Sequence, residues 1–148
     1  MTMTAGVTKA EDSVEGLSWN ILGQTYVPKQ VTESSMSWHA TFPPGTFVPP
    51  HIHPDQDEFI YVFEGTFDLF LDGEEVKATN GDLVRLPRGK AHGIFNNSDS
   101  DVTCFFWVSP TQKLFELFKK IDGVPDPEEV VRLATEHNVH FLPPPDAS

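Results

Sequence analysis

The feature that most restricts the fold of this chain is how soon each apolar run is interrupted. Thirteen prolines and ten glycines are spread over 148 residues. Between them lie short runs rich in β-branched and aromatic residues: WNILGQTYV from Trp19, SMSWHATF from Ser35, DEFIYVFEG from Asp57 and TFDLFLDG from Thr66. EEVKATN from Glu74, DLVRLP from Asp82, AHGIFNN from Ala91 and VTCFFWVS from Val102 continue the pattern. Runs of this length and composition read as strands. Asp72-Gly73 is a hairpin signal, because both residues tolerate positive φ. Asn80-Gly81 marks a second turn, and NNSDSD from Asn96 is a polar loop. Many short strands with turns between them predict a sandwich or barrel.

The period changes after Ser109. Leu114, Phe115, Leu117, Phe118 and Ile121 share one helical face, with Pro110 placed for the first helical position and Gly123 for the end. A second helix is expected from Asp126, a natural N-cap, with Pro127 in the first turn and Glu129 completing a capping-box pattern.

Charge and leader segments narrow the function. The net charge is -12, which argues against nucleic acid and anionic membrane surfaces as partners, since both require a positive field. No apolar run approaches the roughly 18 residues of a membrane span. MTMTAGVTKAEDSVEG lacks the apolar centre of a secretory leader, so a cytoplasmic location is expected. One cysteine, Cys104, allows no intrachain disulfide; it lies in an apolar run and is expected to be a buried, inert thiol.

The stretch PPHIHPDQDEFIYVFEG carries the candidate chemistry. A strand sends alternate side chains to one face, so His51 and His53 point the same way, about 6–7 Å apart. Glu58 would fall on the opposite face of an unbroken strand, but the turn-prone Pro54 to Asp57 segment can reset the register. From Glu58 onward, Ile60 and Val62 share its face, while Phe59, Tyr61 and Phe63 take the other. Both faces are apolar, so burial on both sides is expected.

Reading outward from the pair gives Gly45, five residues, His51, one, His53, four, Glu58, six, Gly65. Further on come Gly81, five residues, Pro87, one, Gly89, two, His92, three, Asn96. Two such motifs in this order resemble the cupin family, over residues 18–110. The resemblance implies an all-β fold, an antiparallel jelly-roll β-barrel at 18–110. A polar lead-in at 1–17 would precede it, and short C-terminal helices with an extended tail at 111–148 would pack on it.

It further implies one divalent transition metal ion (iron, manganese, nickel, cobalt, copper or zinc) held by His51, His53, Glu58 and His92. Such a donor set suits these ions and leaves coordination positions open. Gln56 or Asp57 stand as supports or substitutes for Glu58, and His39 as a base near the cavity. Tyr26, Trp38, Phe47, Phe95, Phe106 and Trp107 are candidates for its lining. The P-P-H-x-H approach and the F-x-Y-V-x-E-G strand are similar to small single-domain bacterial cupins described as quercetin-dioxygenase-like. That likeness implies a dioxygenase of a small aromatic or enolic substrate, with Glu58 as proton acceptor. A metal-assisted isomerase, lyase or epimerase of a sugar or small acid, and a non-enzymatic binding protein, are the other readings. A homodimer is expected, with the N-terminal strand and the apolar helical tail as contacts.

Overall fold

The computed structural model describes residues 2–143, and the end of the expected extended tail lies outside them. In chain order the strands are β1 (Trp19–Ile21), β2 (Gln24–Val31), β3 (Met36–Phe42), β4 (Phe47–Ile52), β5 (Asp57–Glu64) and β6 (Phe67–Leu71). They continue with β7 (Glu74–Ala78), β8 (Leu83–Leu86), β9 (His92–Phe95), β10 (Val102–Ser109) and β11 (His140–Phe141). Helices α1 (Leu114–Ile121) and α2 (Pro127–Glu136) lie between β10 and β11. One sheet has the order β1-β2-β3-β10-β5-β8 and the other β11-β4-β9-β6-β7. All the strand pairs are antiparallel. The expected all-β jelly roll with a short helical tail is therefore present.

Alternation explains the core. Trp38, Ala40 and Phe42 of β3 and Cys104, Phe106 and Val108 of β10 are buried on the inner face of the larger sheet. Phe67, Leu69 and Ile94 meet them from the smaller one. Trp38 stacks on Phe106 at 5.1 Å, and Phe42 meets Phe67 edge-on at 4.9 Å. Asp72 and Gly73 both take positive φ, +49° and +90°, closing the β6–β7 hairpin as expected.

Four local expectations need correction. WNILGQTYV is two strands, because Leu22 and Gly23 sit at φ +53° and +88° and fold β1 back on β2. Gly23 supplies the freedom such a turn requires, and the Asn20 side chain accepts its N–H. β5 is not buried on both sides: Phe59 is half-buried, and Tyr61 and Phe63 are 39% and 47% exposed. Helix α1 begins at Leu114, not at Pro110. The carbonyls of Pro110 and Thr111 accept from the Gln56 side chain, and Gln112 turns left-handed at φ +52°. In α2 the Asp126 carboxylate caps Glu128 N–H at 3.0 Å, but Glu129 turns to Arg132, so the capping box is incomplete.

The apolar face of α1 is consumed within the chain. Leu114, Phe115, Leu117, Phe118 and Ile121 are buried against the barrel. The Phe118 ring lies 5.5 Å from Trp19, 5.3 Å from Tyr26 and 5.2 Å from Trp38. Helix α1 therefore closes one end of the barrel, with its apolar face covered within the chain. No helix among the described residues is long and apolar enough to cross a membrane.

Candidate metal centre

His51, His53, Glu58 and His92 converge at that end of the barrel. All four are buried, and one ligand atom from each lies within 4.8 Å of the others. His51 on β4 is paired directly with His92 on β9, which sets their rings 4.2 Å apart. The His53 ring is 5.0 Å from His51 and 5.4 Å from His92. Glu58 arrives by a different route. The Pro54 to Gln56 turn carries the chain from the smaller sheet into the larger one, so Glu58 is an inward residue of the facing sheet. The odd spacing is resolved by a change of sheet.

The hydrogen bonds around the imidazoles turn their Nε2 atoms inward. The Pro49 carbonyl accepts from His51 Nδ1 at 2.8 Å. Gln56 Nε2 donates to the Pro110 and Thr111 carbonyls at 3.0 and 2.7 Å, so Gln56 Oε1, 2.7 Å from His53 Nδ1, accepts from it. The His92 Nδ1 contact to the Lys90 carbonyl is longer, 3.4 Å. Outer partners of this kind fix the tautomer that leaves Nε2 free for an ion. His92 Nε2 is buried and has no hydrogen-bond partner, although Glu58 Oε2 is 3.1 Å away in poor alignment. Glu58 Oε1 is 3.8 Å from His53 Nε2. Buried polar atoms normally find a partner, so an orphaned imidazole nitrogen facing a carboxylate fits a shared cation between them.

Electrostatics agree. Burial holds the His51 imidazole well below its ordinary value, with His92 and His53 adding to the effect. Burial also lowers His53, opposed by Glu58. Burial alone would raise the Glu58 carboxyl, but His53 and His92 outweigh it and keep it below the usual carboxylate range. Neutral imidazoles and an ionised carboxylate are the forms that bind metal. Three nitrogens and one oxygen suit first-row divalent ions from manganese to zinc.

A cavity of about 50 Å³ adjoins the cluster. Tyr26, Trp38 and Phe106 line it from the barrel, and Leu114, Phe118 and Val130 from the tail. The Tyr26 hydroxyl donates to Gln24 Oε1 at 2.9 Å, and burial, then Glu58 and Cys104, push it well above an ordinary phenol. Tyr26 therefore stays protonated. Phe47, Phe95 and Trp107 do not line the cavity: Phe47 stacks on Phe95 at 5.5 Å, and Trp107 stacks on Phe59 at 5.2 Å. His39 is not brought to the cluster either. Trp38 and Ala40 point inward, so His39 points outward, where its ring stacks on Phe63 at 5.8 Å. Asp57 pairs with Arg88 at the surface, 3.2 Å away. Cys104 is buried, its thiol raised by burial and then by Glu58, as expected of an inert group.

Gln56 is the functional residue whose role the sequence leaves open. Its place three residues after His53, across a turn, is the available signal. The Gln56→Met variant is expected to bind metal about 10–100-fold more weakly. It should also lose about 1–3 kcal/mol of stability, since the buried Thr111 carbonyl and the partly buried Pro110 carbonyl lose their donor. A chelator-competition titration beside chemical denaturation checks both; unchanged affinity would rule out the orienting role.

Residues 38–109 match the family model described as "Cupin domain". Among curated proteins, the chain is 31% identical over 90 residues to the tetracenomycin polyketide synthase protein TcmJ of Streptomyces glaucescens, 60% of each chain. It is 33% identical over 67 residues to the polyketide synthase CurC of Streptomyces cyaneus, 45% of this chain and 44% of that one. The chain thus spans about half the length of these relatives. It is also 40% identical over 48 residues to quercetin 2,3-dioxygenase of Bacillus subtilis, 32% of this chain and 14% of that one. Among solved structures, KdgF from Halomonas sp. superimposes with a TM-score of 0.67 at 23% identity, covering 76% of this chain and 99% of that one.

Proposed function

We propose, for a chain that is a cupin through its 38–109 domain, that it is a metal-dependent dioxygenase of a small aromatic or enolic molecule. The observation that carries this reading is the pairing of a three-imidazole, one-carboxylate cluster with an aromatic cavity closed by the helical tail. A redox-active ion bound there supplies Lewis acidity and electron transfer with dioxygen. The protein groups do the rest. Trp38 and Phe106, stacked on each other, form the apolar barrel-side wall of the cavity beside the cluster. Glu58 Oε1, the less engaged of its two oxygens, accepts the proton of a substrate hydroxyl. The Tyr26 phenol remains neutral and leaves that carboxylate as the base. Leu114 and Phe118 exclude water from the reacting centre. The likeness to a quercetin 2,3-dioxygenase supports the oxygen chemistry.

The likeness to polyketide synthase proteins, which extends over more of the chain, supports a second reading. There the same cluster polarises a carbonyl and Glu58 moves a proton without oxygen, as an isomerase or lyase. Oxygen-electrode assays separate the two. Protein loaded with iron, manganese, cobalt, nickel or copper is incubated with flavonols, catechols and β-diketones. Oxygen uptake matching substrate loss, reduced more than 100-fold in Glu58→Gln, is the expected result. Substrate loss without oxygen uptake selects the second reading, and no turnover of any of them on metal-replete protein sinks the first.

A further inference from the structure

The barrel-side wall of the cavity is apolar except for one atom. Trp38 lines the cavity and is 1% exposed, and its Nε1 is buried without a hydrogen-bond partner. Among the described residues, His92 Nε2, which faces the ion site, is the other buried side-chain atom in that condition. Orphaned buried donors are rare, because a desolvated N–H without an acceptor is costly. The neighbouring rings do not relieve this one. Phe106 stacks on the indole at 5.1 Å, Phe118 meets it edge-on at 5.2 Å, and Tyr26 lies tilted at 5.9 Å. Ring faces accept an N–H weakly.

The other polar side chains of the lining are committed. His51 Nδ1 donates to the Pro49 carbonyl, His53 Nδ1 to Gln56, and the Tyr26 hydroxyl to Gln24. Glu58, ionised, accepts and does not donate. The Trp38 indole, which is a donor only, is thus the one uncommitted side-chain donor of the lining. Strand register sets it apart from the ion site. Glu58 on β5 pairs with Val108 on β10, and Val108 with Met36 on β3. Trp38 is the next inward residue of β3, opposite Phe106. Its backbone stands two strand spacings of about 4.8 Å across from Glu58 and about 7 Å along, roughly 12 Å in all.

We propose that Trp38 determines specificity: its Nε1–H receives a carbonyl oxygen of the substrate, while Glu58 takes the proton of a hydroxyl at the other end of the same molecule. The substrate class is then a hydroxyaryl ketone or its enol equivalent, with the acceptor oxygen about one ring away from the acidic hydroxyl. This rests on the reading of the cavity as the substrate site. A buried donor built to meet an oxygen rejects the analogue that lacks it, because the N–H is then left unpaired in a dry site. The rest of the wall, being apolar, discriminates little between two molecules of one shape. A one-ring ligand is larger than the closed cavity of about 50 Å³, so its entry requires α1 to yield.

Calorimetric titration of the zinc-loaded full chain tests it, since zinc has no redox chemistry to consume the ligand. The probes are para-hydroxyacetophenone and para-ethylphenol, which share the ring and the hydroxyl and differ in the carbonyl oxygen. The ketone is expected to bind at least tenfold more tightly, although the ethyl compound is the more apolar. Trp38→Phe should keep its metal content and bring the two affinities within threefold. The Trp38 Nε1–H resonance, one of three indole signals, should move downfield with the ketone and stay in place with the ethyl compound. Equal affinities in the wild type overturn the proposal. So does a preference that survives Trp38→Phe, which would report the more acidic hydroxyl of the ketone, or an indole resonance that the ketone leaves unmoved. Should Trp38→Phe not fold, the resonance carries the test. Binding of neither probe overturns the donor role together with the cavity as substrate site. A Trp38-dependent preference for the ketone beside an absence of oxygen uptake sinks the dioxygenase reading alone.

Discussion

His92→Ala abolishes stoichiometric metal binding while the barrel stays folded. The wild type is expected to hold about one ion per chain, and the variant to bind more than 100-fold more weakly, beyond the 10–100-fold cost of losing an outer partner of a ligand. The fold survives because the core that holds the two sheets together does not include His92. Apo stability should fall by about 1–3 kcal/mol, because His92 also helps keep the buried Glu58 carboxyl ionised. What disappears is ligand stabilisation, about 4 kcal/mol when free metal exceeds its dissociation constant 1,000-fold. At about 2–4 °C per kcal/mol for a chain of this size, the metal-induced rise in melting temperature, roughly 8–16 °C, vanishes. Elemental analysis and calorimetry with and without metal measure this. His39→Ala, on the outer face, should retain full metal content. Equal losses from both variants would mean that the cluster is not the site.

Phe118→Ala has the largest expected effect on stability. The ring is wedged among Trp19, Tyr26 and Trp38 and is 8% exposed. Truncation leaves a cavity that the surrounding rigid aromatics cannot collapse to fill, costing about 3–5 kcal/mol, or roughly 6–20 °C in melting temperature. The loss should be local first. Phe118 joins the tail to the barrel, so the segment around Gly123 should become sensitive to protease before the barrel melts. Lys120→Ala, exposed on the same helix, is expected to change stability by less than about 0.5 kcal/mol. A Phe118→Ala variant as stable as Lys120→Ala would show that the tail is not held by this contact.

Strand rhythm made the jelly roll legible, because alternation of side chains follows directly from strand geometry. The four candidate ligands were legible from spacing and family likeness. What was hidden depends on three dimensions. The offset of Glu58 makes sense once β4 and β5 are known to lie in different sheets, a fact that no periodicity carries. The outer rings of β5 were misread because two apolar faces look alike whether the second meets a core or solvent. His39 alternates with Trp38 and Ala40, so its side was fixed, but which side was the interior was not. Gln56 was legible as a neighbour of the cluster; its reach to Pro110 and Thr111, more than fifty residues away, was not.

That reach has a consequence. One amide clasps His53 with its oxygen and the first carbonyls of the tail with its nitrogen. Any movement that lifts the tail to admit a substrate must either drag this amide or break its grip, and the ring it steadies is released with it. Reciprocity then requires that whatever pins His53 also tightens the closure. The start of the tail and the orientation of the His53 ring thus depend on one side chain, Gln56.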